Sequence, residues 1–252
     1  MCIRDSSRIV VVTGAAQNIG AAIAERFLKA GDTVICADLN APKNSNVAFI
    51  KTNVADEASV SALMAQVEQQ HGHLDVLVNN AGICVETPIH ELAEQDWDRV
   101  MAVNVKSTFL TTKHARQLMT NPAATAPAIV NISSIEGLGA NPLHSVYAAS
   151  KAAVAAFTHN TALEYGPLGI RCNSVAPGWI NTPFNEQLLA AYPDRQAVDE
   201  AIEALHPVGR LGLPEDVANT VFWLASSESG FVSGQEFVVD GGRLAKLPLP
   251  NL

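Results

Sequence analysis

Short, largely apolar runs rich in β-branched residues recur along this chain, at 9–13, 33–37, 47–51, 76–79, 129–132, 170–175 and 237–239. They lack the every-other-residue polarity of a half-exposed sheet, which is the pattern of parallel strands buried on both faces. Between them, 19–30, 57–71, 95–119, 146–165 and 214–225 place apolar residues three and four apart, the spacing that gives a helix one apolar face. Alternating strands and helices predict an α/β fold, a doubly wound, mostly parallel sheet of about seven strands with helices on both faces. No polar, Gly-rich or Pro-rich linker divides the series, so 8–252 reads as one domain. Residues 1–7 show no periodicity and read as a disordered or non-native extension. The rhythm breaks at 177–209, where Pro183, Pro193 and Pro207 interrupt a connection long for a strand-to-helix loop. Such a segment reads as a lid.

Hydrophobic residues make up 48% of the 252 and charged residues 16%, enough apolar surface to offset the entropy of ordering and to exclude a disordered chain. The net charge, 16 − 25 = −9, repels nucleic acid and anionic membranes at long range, and no basic cluster offsets it. Cys2, Cys36, Cys84 and Cys172 lie dozens of residues apart, so no zinc site or redox pair is expected. They read as reduced thiols of a cytoplasmic protein. No apolar run approaches the roughly 20 residues needed to cross a bilayer.

The first strand runs into Thr13-Gly14-Ala15-Ala16-Gln17-Asn18-Ile19-Gly20, where a helix begins. Gly14, Ala15 and Gly20 let the backbone turn tightly and admit a phosphate to the helix amino terminus, whose free N–H groups and positive dipole end attract it. Asp38 closes the second strand, 18 residues after Gly20, where a dinucleotide site places the carboxylate that bonds the adenosine ribose. A carboxylate there repels a 2′-phosphate and favours NAD over NADP. The bland alternative is a turn and nothing more.

A second constellation is Tyr147-Ala148-Ala149-Ser150-Lys151, at the start of an Ala-rich helix. Four residues apart, Tyr147 and Lys151 share a helix face, and a nearby ammonium is expected to draw a phenol from about 10 toward working pH. A phenol so tuned is a usable general acid or base. Ser134, 13 residues earlier, can hold a reacting oxygen, or can simply cap a turn.

Taken together, these residues resemble the short-chain dehydrogenase/reductase family. The resemblance runs from about Arg8 to Gly242 and adds Asn79-Asn80-Ala81-Gly82, Asn104, Ile132-Ser133-Ser134, Pro177-Gly178 and Asp240-Gly241-Gly242. It implies that Tyr147 passes the proton, Ser134 positions the reacting oxygen, Lys151 lowers the tyrosine pKa and binds the nicotinamide ribose, and Asn104 supports a water relay. It implies a cofactor site of Gly14, Gln17, Asn18, Ile19, Gly20, Asp38, Asn53, Val54, Asn80, Ala81, Gly82, Tyr147, Lys151, Pro177, Gly178, Ile180 and Thr182. Asn80 to Gly82 would line the adenosine ribose, Ile180 would meet the nicotinamide amide through its backbone, and Thr182 would reach the pyrophosphate. A homotetramer through helices 95–119 and 146–165 is implied too, and Ala148, Ala152, Ala155 and Ala156 permit close helix approach.

Two positions depart from the family's pattern: Asn18 stands where a second glycine is usual, and Asn53 where an aspartate often meets the adenine. Asn tolerates a left-handed backbone better than other residues with a side chain, so the turn survives. The Asn53 amide oxygen still accepts from the adenine amino group. The implied reaction is reversible hydride transfer between a nicotinamide and a secondary alcohol or ketone. Glu136, His144, Trp179, Phe184 and His206 would enclose a small polar hydroxy compound (a polyol, sugar or hydroxy acid), with 141–144 and Leu188, Leu189 and Tyr192 nearby. A 3-oxoacyl-type reductase remains an alternative, although relatives of that kind present arginines where Thr125 and Leu168 stand. A non-catalytic NAD-binding sensor would lack Ser134, Tyr147 or Lys151, and a nucleotide-free halide eliminator would lack Gly14, Gly20 and Asp38; all are present.

Overall fold

The computed structural model describes residues 7–183 and 194–246. Seven strands, β1 (Ile9–Thr13), β2 (Thr33–Asp38), β3 (Ala48–Lys51), β4 (Val76–Asn79), β5 (Ala128–Ile132), β6 (Arg171–Pro177) and β7 (Glu236–Val239), form one sheet in the order β3-β2-β1-β4-β5-β6-β7. Every pairing is parallel. The described helices are α1 (Asn18–Leu28), α2 (Glu57–His71), α3 (Glu94–Met101), α4 (Ser107–Met119), α5 (Ser145–Tyr165), α6 (Arg195–Ala204) and α7 (Pro214–Leu224).

Alternate residues of the strands feed two cores, which is why the strands read as apolar. Val10, Val12, Val34, Cys36, Val76 and Val78 face α1 and α7 through Ile23, Phe27, Val217 and Val221. Val11, Ile35, Leu77 and Ile129 face α2 and α4 through Leu63, Val67, Ala115 and Leu118. Each such side chain contributes about 1.5–3 kcal/mol by leaving water. Strand order reverses between β1 and β4, so the carboxyl ends of these two strands open a crevice, the usual ligand position in an open α/β sheet.

Two departures from the sequence reading have physical causes. The stretch read as one helix over 95–119 is α3 and α4 joined by a π-helical turn, Ala102–Lys106. Within and beside that turn, the hydroxyls of Ser107 and Thr108 bond back to the carbonyls of Val103 and Asn104, and the Asn104 amide is tied to Ile83. A one-residue widening of this kind leaves the apolar periodicity nearly unchanged. The 177–209 connection is also not all loop: α6 occupies part of it, capped by the Asp194 carboxylate on the Ala197 N–H at 3.0 Å. Phe184, Leu188, Leu189 and Tyr192, read as lying around the substrate, fall outside the described residues, as does most of the 1–7 extension.

Among the described residues, no helix is long and apolar enough to cross a membrane, and no group of three or more His, Cys, Asp or Glu side chains is placed to hold a metal ion. Cys36, Cys84 and Cys172 are free.

Candidate active site

At the end of β1 the chain turns under Asn80, whose amide donates at 3.0 Å to the carbonyls of both Thr13 and Gly14. The Thr13 hydroxyl returns the tie, accepting from the N–H groups of Asn80 and Ala81 at 3.0 Å. Gly14 has φ +64°, and a Cβ on it would stand 2.8 Å from Ala81 Cα. On Gly20 a Cβ would stand 2.1 Å from the Gly14 carbonyl oxygen. Close approach of chain to chain, as well as room for a ligand, therefore requires these glycines. Asn18 sits at φ +54°, in the left-handed region expected of it.

The amino end of α1 has no side-chain cap: Gln17 precedes it in extended conformation and its side chain accepts nothing there. Uncapped first-turn N–H groups are the donors a pyrophosphate needs. Asp38 stands beside this turn, with Oδ2 accepting from the Ala16 N–H at 3.1 Å and Oδ1 from Asn40 at 3.0 Å. The Thr52 N–H bonds the Asp38 carbonyl at 2.8 Å, which brings Asn53 and Val54 alongside. The Asn53 oxygen already accepts from Ala55 at 3.1 Å and keeps one lone pair for another donor. Glycine turn, uncapped helix end and carboxylate thus fit a dinucleotide.

One strand further, buried amides hold the rest. Asn79 donates to Asn131 at 2.8 Å and accepts from the Thr111 hydroxyl at 2.6 Å, while Asn131 donates to Thr158 on α5 at 2.9 Å. These bonds lock the carboxyl ends of β4 and β5 against α4 and α5, the elements that carry Asn104, Ser134 and Tyr147. The Ser134 hydroxyl accepts from the Glu136 N–H at 3.2 Å, which is the capping role, and the same side chain draws the Tyr147 phenol down. Lys151 Nζ lies 5.5 Å from the Tyr147 ring centroid and donates to the Ile132 carbonyl at 2.9 Å. Asn104 accepts from the Ile83 N–H at 2.8 Å and donates to the Ile83 carbonyl and the Ser150 hydroxyl, each at 2.9 Å. A Cβ on Gly82 would stand 3.3 Å from Lys151 Nζ and 3.5 Å from Asn104 Oδ1, so these groups share one small space.

The electrostatics differ from the expectation of a lowered tyrosine. Burial pushes the Tyr147 hydroxyl well above the usual phenol range; the Ser134 bond pulls it down, and Cys84 and Glu136 add to the rise. Lys151 is shifted down to about 8, chiefly by burial. Desolvation thus opposes the charge on both groups.

Of the residues assigned to substrate, Glu136 and His144 meet beside Tyr147, with His144 Nδ1 at 2.8 Å from Glu136 Oε2 and the two rings edge-on at 6.3 Å. Trp179 and His206 pack instead at the end of β7: Arg243 lies over the Trp179 ring at 5.6 Å, and a Cβ on Gly241 would stand 3.7 Å from the His206 ring. The His206 ring is buried and bonds the Ile202 carbonyl at 2.8 Å. No hydrogen bond or ring contact joins either residue to Tyr147 or Ser134 among the described residues. Phe184 lies outside them. Pro177 ends β6, Gly178 bonds the Val239 carbonyl at 2.9 Å, Ile180 bridges to Gly212, and Thr182 is buried beyond it. Glu86 and Cys84 belong to the same neighbourhood and were missed, because a loop after a strand carries no periodicity to mark them. Thr13 carried a weak signal, a hydroxyl closing an otherwise apolar strand.

This fold and site define the short-chain dehydrogenases/reductases, nicotinamide-dependent oxidoreductases acting between secondary alcohols and ketones, and the chain belongs to that family. A family model described as Enoyl-(Acyl carrier protein) reductase matches residues 14–243. The chain is 41% identical to cis-4-hydroxycyclohexanecarboxylate dehydrogenase of Sinomonas cyclohexanicum, covering 95% of this chain and 98% of that one. It is 37% identical to 3-oxoacyl-[acyl-carrier-protein] reductase of Thermotoga maritima, over 95% and 98% of the two chains. Among solved structures, ligand-free aldohexose dehydrogenase of Thermoplasma acidophilum superimposes with a TM-score of 0.93 at 34% identity, over 98% of this chain and 97% of that one.

Proposed function

We propose that this oxidoreductase uses NAD and acts on a small polar hydroxy compound, with Tyr147 moving the proton, Ser134 holding the reacting oxygen and Lys151 binding the nicotinamide ribose. The observation that carries the reading is the Lys151 ammonium 5.5 Å from the Tyr147 ring centroid, in a space it shares with Asn104, with Ser134 drawing the phenol down. When bound, the nicotinamide supplies or accepts the hydride. Everything else falls to the chain: the Ser134 hydroxyl bonds the substrate oxygen, the Tyr147 hydroxyl gives or takes its proton, and Asn104 keeps the Ile83 backbone against the site.

Asp38 supports NAD, since its carboxylate lies against the turn where a 2′-phosphate would sit. The relatives that act on a hydroxycyclohexanecarboxylate and on aldohexoses support a compact hydroxylated substrate. The Thermotoga reductase keeps 3-oxoacyl reduction as the second reading. Exposed Phe109 on α4 and Leu163 on α5 support assembly as a homotetramer through those helices, which sizing chromatography decides. A panel of secondary alcohols followed by absorbance of the reduced nicotinamide, with NAD and NADP in parallel, tests the reading. Higher kcat/KM with NAD, and a narrower gap in Asp38→Ala, are expected; equal efficiency with the two cofactors in the parent overturns the NAD preference.

A further inference from the structure

Three connections converge beside Tyr147. Glu86 lies on the loop after β4, Glu136 on the loop after β5, and His144 caps α5. Both ring nitrogens of His144 face carboxylates: Nδ1 is 2.8 and 3.0 Å from the two oxygens of Glu136, and Nε2 is 3.4 Å from Glu86 Oε1. Asn141 donates to Glu136 Oε1 at 3.0 Å. A backbone bond from the Thr87 N–H to the Leu143 carbonyl, 2.9 Å, ties the two outer loops together.

That tie holds Leu143 at φ +71°, in the left-handed region that a branched side chain avoids. Backbone strain persists where surrounding contacts over-determine it, and here those contacts fix the position of His144.

We propose that Glu86, His144 and Glu136 form a clamp for the neighbouring hydroxyls of a neutral polyhydroxy substrate, selecting it over hydroxy acids and acyl thioesters. Two carboxylates against one imidazole leave the cluster negative whichever protonation state the ring holds. Lys151, on the Tyr147 side of the site, is tied to the Ile132 carbonyl. An anionic substrate group gains nothing there, whereas a carboxylate accepts through about four lone-pair positions and a hydroxyl supplies the proton. The side chains of Glu86, His144 and Glu136 are 30%, 18% and 14% exposed, sheltered enough to bond strongly and open enough to be reached. The His144 ring stands edge-on to the Tyr147 ring at 6.3 Å, so the clamp borders the group proposed to move the proton. Lone pairs that His144 and Asn141 leave open on the two carboxylates favour a substrate whose hydroxyls fill them over an analogue without them.

The proposal rests on Tyr147 being the proton-transfer group, and its test separates the two. Vicinal cyclohexanediol, cyclohexanol and a hydroxycyclohexanecarboxylate are compared by kcat and KM with NAD, and by calorimetric binding to the enzyme–NADH complex, which needs no turnover. The parent is expected to favour the diol. Glu86→Gln and Glu136→Gln should each lose about tenfold more for the diol than for cyclohexanol, the size of one charge-assisted bond, chiefly in KM. Melting curves of both variants establish that each is folded; Glu86→Gln, on an outer loop, is the safer of the two. Equal losses for diol and cyclohexanol overturn the clamp. So does a preference for the hydroxy acid that Arg243→Gln abolishes. Absence of turnover with every alcohol removes the proton-transfer reading, while calorimetry still decides the clamp.

Discussion

Lys151 Nζ stands 5.5 Å from the centroid of the Tyr147 ring and donates its hydrogen bond to the Ile132 carbonyl. The four-residue spacing placed the two on one helix face, but proximity alone does not make a phenolate. Burial raises the tyrosine and lowers the lysine, and the group that draws the phenol down is Ser134. Under the proposed mechanism, proton transfer at Tyr147 therefore draws on the Ser134 hydroxyl.

Replacing Tyr147 with Phe removes that hydroxyl and little else. Turnover should fall about 10²–10⁴-fold, the usual worth of a positioned acid or base, while NADH affinity measured by fluorescence titration stays within a few-fold. Activity within tenfold of the parent would remove Tyr147 from the reaction.

Lys151 should trade stability for function. Its folded pKa of about 8 lies below the ordinary value of 10.5, so from about pH 8 to 10.5 the unfolded chain binds the proton that the folded chain has released. Stability from this group therefore rises with pH across that window, and below it the folded protein carries the whole penalty, on the order of 3 kcal/mol, for a buried ammonium. Lys151→Met should unfold at higher urea than the parent near pH 7 despite losing activity. The difference should shrink toward about pH 10, and a gap independent of pH would contradict the assignment.

Much of this was legible because burial writes itself into residue type. Buried parallel strands must be apolar, so β1, β4 and the ends of α2 were readable to the residue; the structure closes α2 with the Asp56 cap and with Gly72 at φ +76°. The glycine turn and the Tyr147–Lys151 pair were readable because few residues do what they do. What stayed hidden depends on long-range contact. The π turn at 102–106 is created by Asn104 reaching Ile83 across 21 residues, and the Glu86–His144 contact joins two loops with no pattern of their own. His206, read as enclosing substrate from within the 177–209 segment, is buried beside Gly241, through packing that no local signal announces.

Asn18 tests how far asparagine replaces glycine in the turn. At φ +54° a Cβ costs about 1 kcal/mol, less for Asn, whose short polar side chain tolerates this region. Asn18→Ala should lower stability by about 1 kcal/mol in urea unfolding and weaken NADH binding, whereas Asn18→Gly should match the parent in binding. Equal behaviour of Ala and Gly would mean that the left-handed backbone is not maintained.

Asn104 carries three hydrogen bonds from a buried position, and each ties a different part of the site: the Ile83 N–H, the Ile83 carbonyl and the Ser150 hydroxyl. Ser150 in turn donates to the Tyr147 carbonyl at 2.7 Å, so the amide links the loop after β4 to the first turn of α5. Asn104→Ala leaves the Ile83 groups without a partner, at about 1–3 kcal/mol for each polar group stranded away from water. Asn104→Asp keeps an acceptor for the Ile83 N–H but loses both donations and brings a carboxylate toward the Ile83 carbonyl. If the amide acts by holding this geometry, both variants should be destabilised in urea and lose kcat more than KM, with Asp no better than Ala. Full activity in a destabilised Ala variant would confine Asn104 to folding.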